Sequence, residues 1–163
     1  MSLNKFVLLL LVSFGIVNSA SAASKSRELS IDGNYISIQG QSSASLLNLS
    51  VGQFVAPQFV VVTALTTQQN FGYSATSISL GGKYYFMDGF KGDLVPFAGL
   101  DIGLRMSATA TDSNHGSTLY AGKLGVAYFL TDNATLDAKA TLQNFNDSSP
   151  SITQLSAGFS LRF

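Results

Sequence analysis

The chain has 163 residues, 46% of them apolar and only 11% charged, with nine basic and nine acidic side chains in balance. Ordinary soluble proteins carry about 25% charged residues, so this composition excludes a conventional solvated surface, and the even balance excludes a basic footprint for nucleic acid or a polybasic membrane tether. There is no cysteine and one histidine, His115. That rules out a disulfide framework and a lipoprotein anchor, and leaves no metal-ligand cluster to read.

Residues 1–22 divide as a secretory signal peptide does. A short leading region carries Lys5, residues 6–17 are mostly apolar, and Ala20-Ser21-Ala22 suits signal peptidase. The apolar run falls short of the ~20 residues a spanning helix needs. We therefore divide the chain into a cleavable signal peptide, 1–22, and one domain, 23–163.

The rest of the chain is a succession of alternating segments separated by turn residues. Eight strands are expected, near residues 28–39, 44–54, 59–67, 76–86, 94–108, 118–130, 134–144 and 151–163. Most reach the ~9–11 residues with which a tilted strand crosses a bilayer. Strand one alternates through Leu29, Ile31, Gly33 and Tyr35 and breaks phase near Ile36. In the second, Leu47, Leu49 and Val51 oppose Asn48, Ser50 and Gly52. The third, from Phe59 to Leu65, is mostly apolar and does not declare its faces. The fourth sets Ile78, Leu80, Gly82, Tyr84 and Phe86 against Ser77, Ser79, Gly81, Lys83 and Tyr85. In the fifth, Ala98, Leu100, Ile102, Leu104 and Met106 alternate with Gly99, Asp101, Gly103 and Arg105. In the seventh, Leu136, Ala138, Ala140 and Leu142 alternate with Asp137, Lys139 and Thr141. The last ends on Phe159, Leu161 and Phe163, apolar and in register.

Alternation alone fits a soluble barrel as well as a membrane one. The polar face decides, because it is made of Ser, Thr, Gly and Asn with few charges, which suits a narrow lumen better than a solvated exterior. Aromatics gather at strand ends: Phe54, Phe59, Tyr84, Tyr85, Phe86, Phe90, Phe97, Tyr128, Phe129 and Phe163 at one rim, as an interfacial girdle would require. Phe71, Tyr73, Tyr120 and Phe145 are expected in a sparser belt opposite. The fold expected is all-β: an eight-stranded antiparallel up-and-down transmembrane β-barrel behind a cleavable signal peptide. With both termini inside the periplasm, 55–58, 87–93 and 131–134 are periplasmic turns. Segments 40–43, 68–75, 109–117 and 145–150 are outward loops.

The run Leu124-Gly-Val-Ala-Tyr-Phe-Leu-Thr-Asp-Asn-Ala-Thr-Leu-Asp-Ala138 resembles the strand–turn–strand of the small outer-membrane-protein β-barrel domain family, which includes OmpX-like and OmpA-transmembrane-domain-like barrels. Lys83-Tyr-Tyr-Phe86, Val95-Pro-Phe-Ala-Gly99 and the Phe163 ending resemble it too. The resemblance implies the outer membrane of a Gram-negative-type bacterium after export through the inner membrane. It implies outer-membrane lipid, barrel-assembly machinery and periplasmic chaperones as partners, with Phe159, Leu161 and Phe163 as the assembly signal. No peptidoglycan-binding domain is expected after the barrel. The function it implies is structural or surface-interactive, in adhesion or the envelope, with no enzyme activity, no cofactor and no nucleic acid.

The lumen is expected to hold Asp32, Lys83, Asp101, Arg105, Lys123, Asp137, Lys139 and Arg162. Buried charges must pair, and eight strands leave room only for side chains, so these residues are expected to plug the barrel. The alternative is a narrow pore for small solutes. A further alternative rests on His115 and Ser117, whose spacing resembles the dyad of lipid A deacylases. As a hydrolase site it would need an acid to orient the imidazole, and only Glu28 and Asp112 are available.

Overall fold

A computed structural model describes residues 27–36, 44–70, 73–88, 92–109, 115–146 and 151–163. Eight strands follow in chain order: β1 Arg27–Ile36, β2 Ala44–Ala56, β3 Phe59–Asn70, β4 Tyr73–Tyr85, β5 Leu94–Thr109, β6 His115–Thr131, β7 Ala134–Phe145 and β8 Ile152–Arg162. Each pairs antiparallel with its neighbours in sequence, and β1 pairs with β8, so the sheet closes without an edge. Closure satisfies every ladder that an open sheet would leave facing hydrocarbon. The chain end takes part: Arg27 N donates to Phe163 O at 3.0 Å, and Phe163 N donates to Arg27 O at 3.0 Å. Register shifts next to Phe54 and Phe129 bend β2 and β6 where each enters a tight turn.

The two faces of each strand are chemically opposite, and the inside is the polar one. Leu29, Ile31, Leu47, Leu49, Leu80, Ile102, Leu104, Leu136 and Leu142 are exposed on the outer wall; Leu100 and Leu155 are 74% and 72% exposed. Among the described strand residues, every charged side chain except Arg27, which opens β1, lies on the inner face. A wall of that kind is solvated by hydrocarbon and not by water.

The third strand, whose faces the sequence left open, turns Val60, Val62 and Ala64 inward and Val61, Thr63 and Leu65 outward. Other expectations need correction. Two expected outward loops are shorter than their polarity suggested. The β3–β4 ladder runs to Asn70 opposite Tyr73, and β6 starts at His115, paired with Ser107. Polar residues there continue a ladder above the apolar band, where polarity no longer distinguishes strand from loop. The aromatic girdle also divides. Phe59, Tyr84, Phe86, Tyr128 and Phe163 face outward, but Phe54, Tyr85, Phe97 and Phe129 point into the barrel. Phe145 also lies inside, beneath Arg105. Phe71, Phe90 and the 1–22 segment fall outside the described residues.

Leu100→Arg, near mid-height of the outer wall, is expected to lower unfolding stability in lipid vesicles by about 2–4 kcal/mol, read by urea titration. The native protein is expected to shift in gel mobility on boiling; an unshifted band would contradict a closed, detergent-resistant barrel.

Candidate functional site: the charged lumen

Strand phase gathers the interior side chains into levels, which run from the end holding Arg27 and Phe163 (the terminal end) towards the far end. At the terminal end Val60, Val62, Tyr85, Val95, Phe97 and Ala127 form a buried cluster, with Phe54, Met87 and Phe129 packed against it. The polar lumen expected from the sequence is thus joined at this level by an apolar and aromatic cluster that forms a plug.

Glu28 is set into the plug and only 2% exposed. Its carboxylate accepts from Tyr85 Oη at 2.8 Å and from Arg162 Nε at 3.3 Å, and pairs with Lys83 from across the lumen. Both cations are stacked on rings. Lys83 Nζ lies 4.7 Å from the Tyr85 centroid and 5.3 Å from that of Phe97. The Arg162 guanidinium lies 4.5 Å from Tyr85 and Phe129 and 5.1 Å from Phe54. Aromatic faces add an attraction of about 0.5–2 kcal/mol per cation, so the rings of the plug help stabilise the charges set among them.

Above it, Lys139 Nζ donates to Asp32 Oδ2 at 2.7 Å, and Asn48 Nδ2 donates to the same oxygen at 2.9 Å. Thr66 Oγ1 donates to Asn48 Oδ1 at 2.7 Å, extending the chain to β3. Lys123 pairs with Asp101 on the neighbouring strand. Asp137, nearer the terminal end, accepts from Thr135 Oγ1 at 3.0 Å and from the Ser160 hydroxyl. Towards the far end the Arg105 guanidinium lies 4.2 Å from the Phe145 centroid.

Glycines make this crowding possible. Glu28 stands in register with Gly52, Lys83 and Lys123 with Gly99, Asp101 with Gly81, Phe97 and Lys139 with Gly125, and Asp32 and Asp137 with Gly158. A methyl at Gly158 would run into Asp32, and one at Gly125 into Phe97 and Lys139. The long side chain lies over the gap its neighbour leaves, which lets Lys139 of β7 reach Asp32 of β1 past β8.

The structure places all eight sequence-derived charges in the strands. It joins Asp32 with Lys139 and Asp101 with Lys123, and brings Lys83 and Arg162 to a residue the sequence reading did not assign to the lumen, Glu28. Its phase with Ser30 and Asp32 was the available signal. Asp101 and Arg105, four apart on one strand, find separate partners. Ser117 is buried on the inner face and stands opposite Arg105. Glu28, a possible acid for the dyad, is engaged at the other end of the barrel. Among the described residues no three His, Cys, Asp or Glu side chains come together as a metal site.

Closed topology, an apolar outer wall and a packed polar interior define the fold of the small eight-stranded outer-membrane β-barrels, as the resemblance implied. No family model matches the chain, and no curated protein does. Solved structures do. Neisserial surface protein A, NspA, aligns over 87% of this chain and 100% of its own at 18% identity, with a TM-score of 0.70. OprG from Pseudomonas aeruginosa aligns over 86% and 98% at 14% identity and 0.55. The outer membrane enzyme PagL aligns over 83% and 99% at 11% identity and 0.54. Identities this low establish a common fold, and these proteins differ in kind.

Asp101→Ala is expected to destabilise the barrel by about 3–5 kcal/mol, because Lys123 is left buried without its partner. The double variant Asp101→Leu with Lys123→Met is expected to recover most of that loss. Urea unfolding in vesicles measures both.

Proposed function

We propose that this chain is a non-enzymatic integral outer-membrane protein of a Gram-negative-type bacterium. Its barrel is a plugged support, and its far-end connections carry a structural or surface-interaction role in the envelope or in adhesion. Export would use residues 1–22 as a cleaved signal peptide. Periplasmic chaperones and the barrel-assembly machinery would receive the chain, with Phe159, Leu161 and Phe163 as the assembly signal, and outer-membrane lipid would surround the finished wall. The terminal end then faces the periplasm.

The observation that carries this reading is the plug: Val60, Tyr85 and Ala127 are 0% exposed, and the Glu28 ion pairs lie among them. Eight strands enclose a space that side chains fill, whereas open porins use about 16–18. A solute would have to separate Glu28 from two cations and displace four aromatic rings. Against a lipid A hydrolase stands Ser117, turned to the inner face and away from lipid.

In planar bilayers the protein is expected to give no reproducible single-channel steps. Steps that persist at constant voltage would favour the narrow pore instead. Mass spectrometry of the protein from outer-membrane fractions is expected to find Ala23 as the first residue. Ser117→Ala is expected to leave lipid A acylation unchanged in cells; a lost activity would return the dyad to consideration.

A further inference from the structure

The outer wall is unevenly filled. Two neighbouring rows of register partners cross it, Tyr84–Ala98–Leu124–Ala140 and Gly82–Leu100–Gly122–Leu142. Small residues alternate between the rows, so Gly82, Ala98, Gly122 and Ala140 make a continuous floor. Leu100 and Leu124 stand above it, 74% and 67% exposed. The result is a groove of about 720 Å3, entered beside Phe59 and Tyr84 at the terminal end and leading to Thr153 on β8. On β1 and β2, by contrast, Leu29 pairs with Val51 and Ile31 with Leu49, and the wall is filled. We propose that the groove binds one acyl chain of an amine-bearing phospholipid of the periplasmic leaflet, with Asp88 holding the lipid's ammonium group. The inference rests on the membrane placement and orientation proposed above.

The groove has the reach of a lipid chain. From β3 to β8 it crosses the sheet in steps of about 4.8 Å per strand. With strands tilted about 35–45° from the barrel axis, that path climbs roughly 15 Å, the depth of one hydrocarbon leaflet. A chain entering at the terminal rim therefore keeps apolar contact through its whole leaflet. The volume falls within the roughly 300–1,000 Å3 of small-ligand sites. The entrance supplies the head-group chemistry. Tyr84 donates its hydroxyl to Gln58 Oε1, and Gln58 Nε2 donates to Asp88 Oδ2 at 2.9 Å. Two hydrogen bonds thus fix an exposed carboxylate beside the mouth of the groove. A primary ammonium offers that carboxylate opposite charge and three N–H donors. A choline group offers the charge without a donor, and a glycerol head group leaves the lipid net negative against Asp88. Ethanolamine is the head group that complements the rim.

The test is native mass spectrometry of the protein released from nanodiscs that hold equal parts of ethanolamine, choline and glycerol phospholipids. One retained lipid is expected, with the ethanolamine form favoured about two- to fivefold, the range that an exposed ion pair gives. Asp88→Asn is expected to abolish the preference and keep the lipid. Gly122→Leu is expected to displace the lipid; a Cβ there meets nothing nearer than Leu100 at 3.9 Å, so the barrel has room for it. Equal retention of the three head groups, a preference for glycerol lipid, or unchanged retention in Gly122→Leu would overturn the site. A doubled protein mass would also overturn it and make the groove an interface between two copies. Gel mobility separates this proposal from the one beneath it. A heat-shifted barrel without the ethanolamine preference overturns the groove alone, whereas an unshifted band overturns the membrane barrel itself. Should Gly122→Leu fail to fold, Ala98→Leu takes its place, and Asp88→Asn in its exposed turn still decides the head group.

Discussion

A barrel of eight strands encloses a space that side chains nearly fill, so the charges inside it must find their principal partners among one another, and the rest of the structure answers to that constraint. A buried ion leaves water at a penalty of several kcal/mol unless its partner and hydrogen bonds are in place. Glu28 meets the condition with Lys83, Arg162 and the Tyr85 hydroxyl, and Asp32 is met at one oxygen by Lys139 and Asn48. These pairs join strands far apart in sequence, so pairing the charges also fixes the cross-section of the barrel. The outer wall contributes little to that selection, since one lipid-facing leucine resembles another to the bilayer.

Small residues are the second half of the same solution. Lys83 lies over Gly99, Asp101 over Gly81 and Phe97 over Gly125. Each glycine removes a side chain where its neighbour must cross the space it would fill. Charge and glycine therefore work as units of two adjacent strands, and a change in either member disturbs both.

Much of this was legible in the sequence, for a definite reason. Where one face carried Asp101 and Arg105, or Asp137 and Lys139, the strand's inside was marked, because hydrocarbon tolerates charge poorly. Where both faces were apolar the mark was missing. Val60 and Val62 look no different from Val61 and Leu65 until β2 and β4 fix their register. Aromatics at strand ends failed for a related reason: a ring serves equally in an interfacial girdle or in an interior plug, so Tyr84 and Tyr85 share a neighbourhood and part company in direction. Glu28 was in phase with Asp32, but its importance comes from Lys83 and Arg162, tens of residues or more away. Pairings at that distance are set by closure and not by local pattern.

Closure itself rests on a short seam. Among the described residues the β1–β8 register runs from Glu28 with Arg162 to Gly33 with Ala157, the briefest of the eight pairings, with the backbone bonds of Arg27 to Phe163 at its end. The ion pair thus fastens the first strand to the last. A sheet lacking its last strand would present Glu28 without one of its two cations and an unpaired ladder along β1. Hydrocarbon tolerates neither the charge nor the edge. The barrel is accordingly expected to assemble as a single cooperative event: seven strands make no stable product, and the eighth completes the ladder and the charge pairing together.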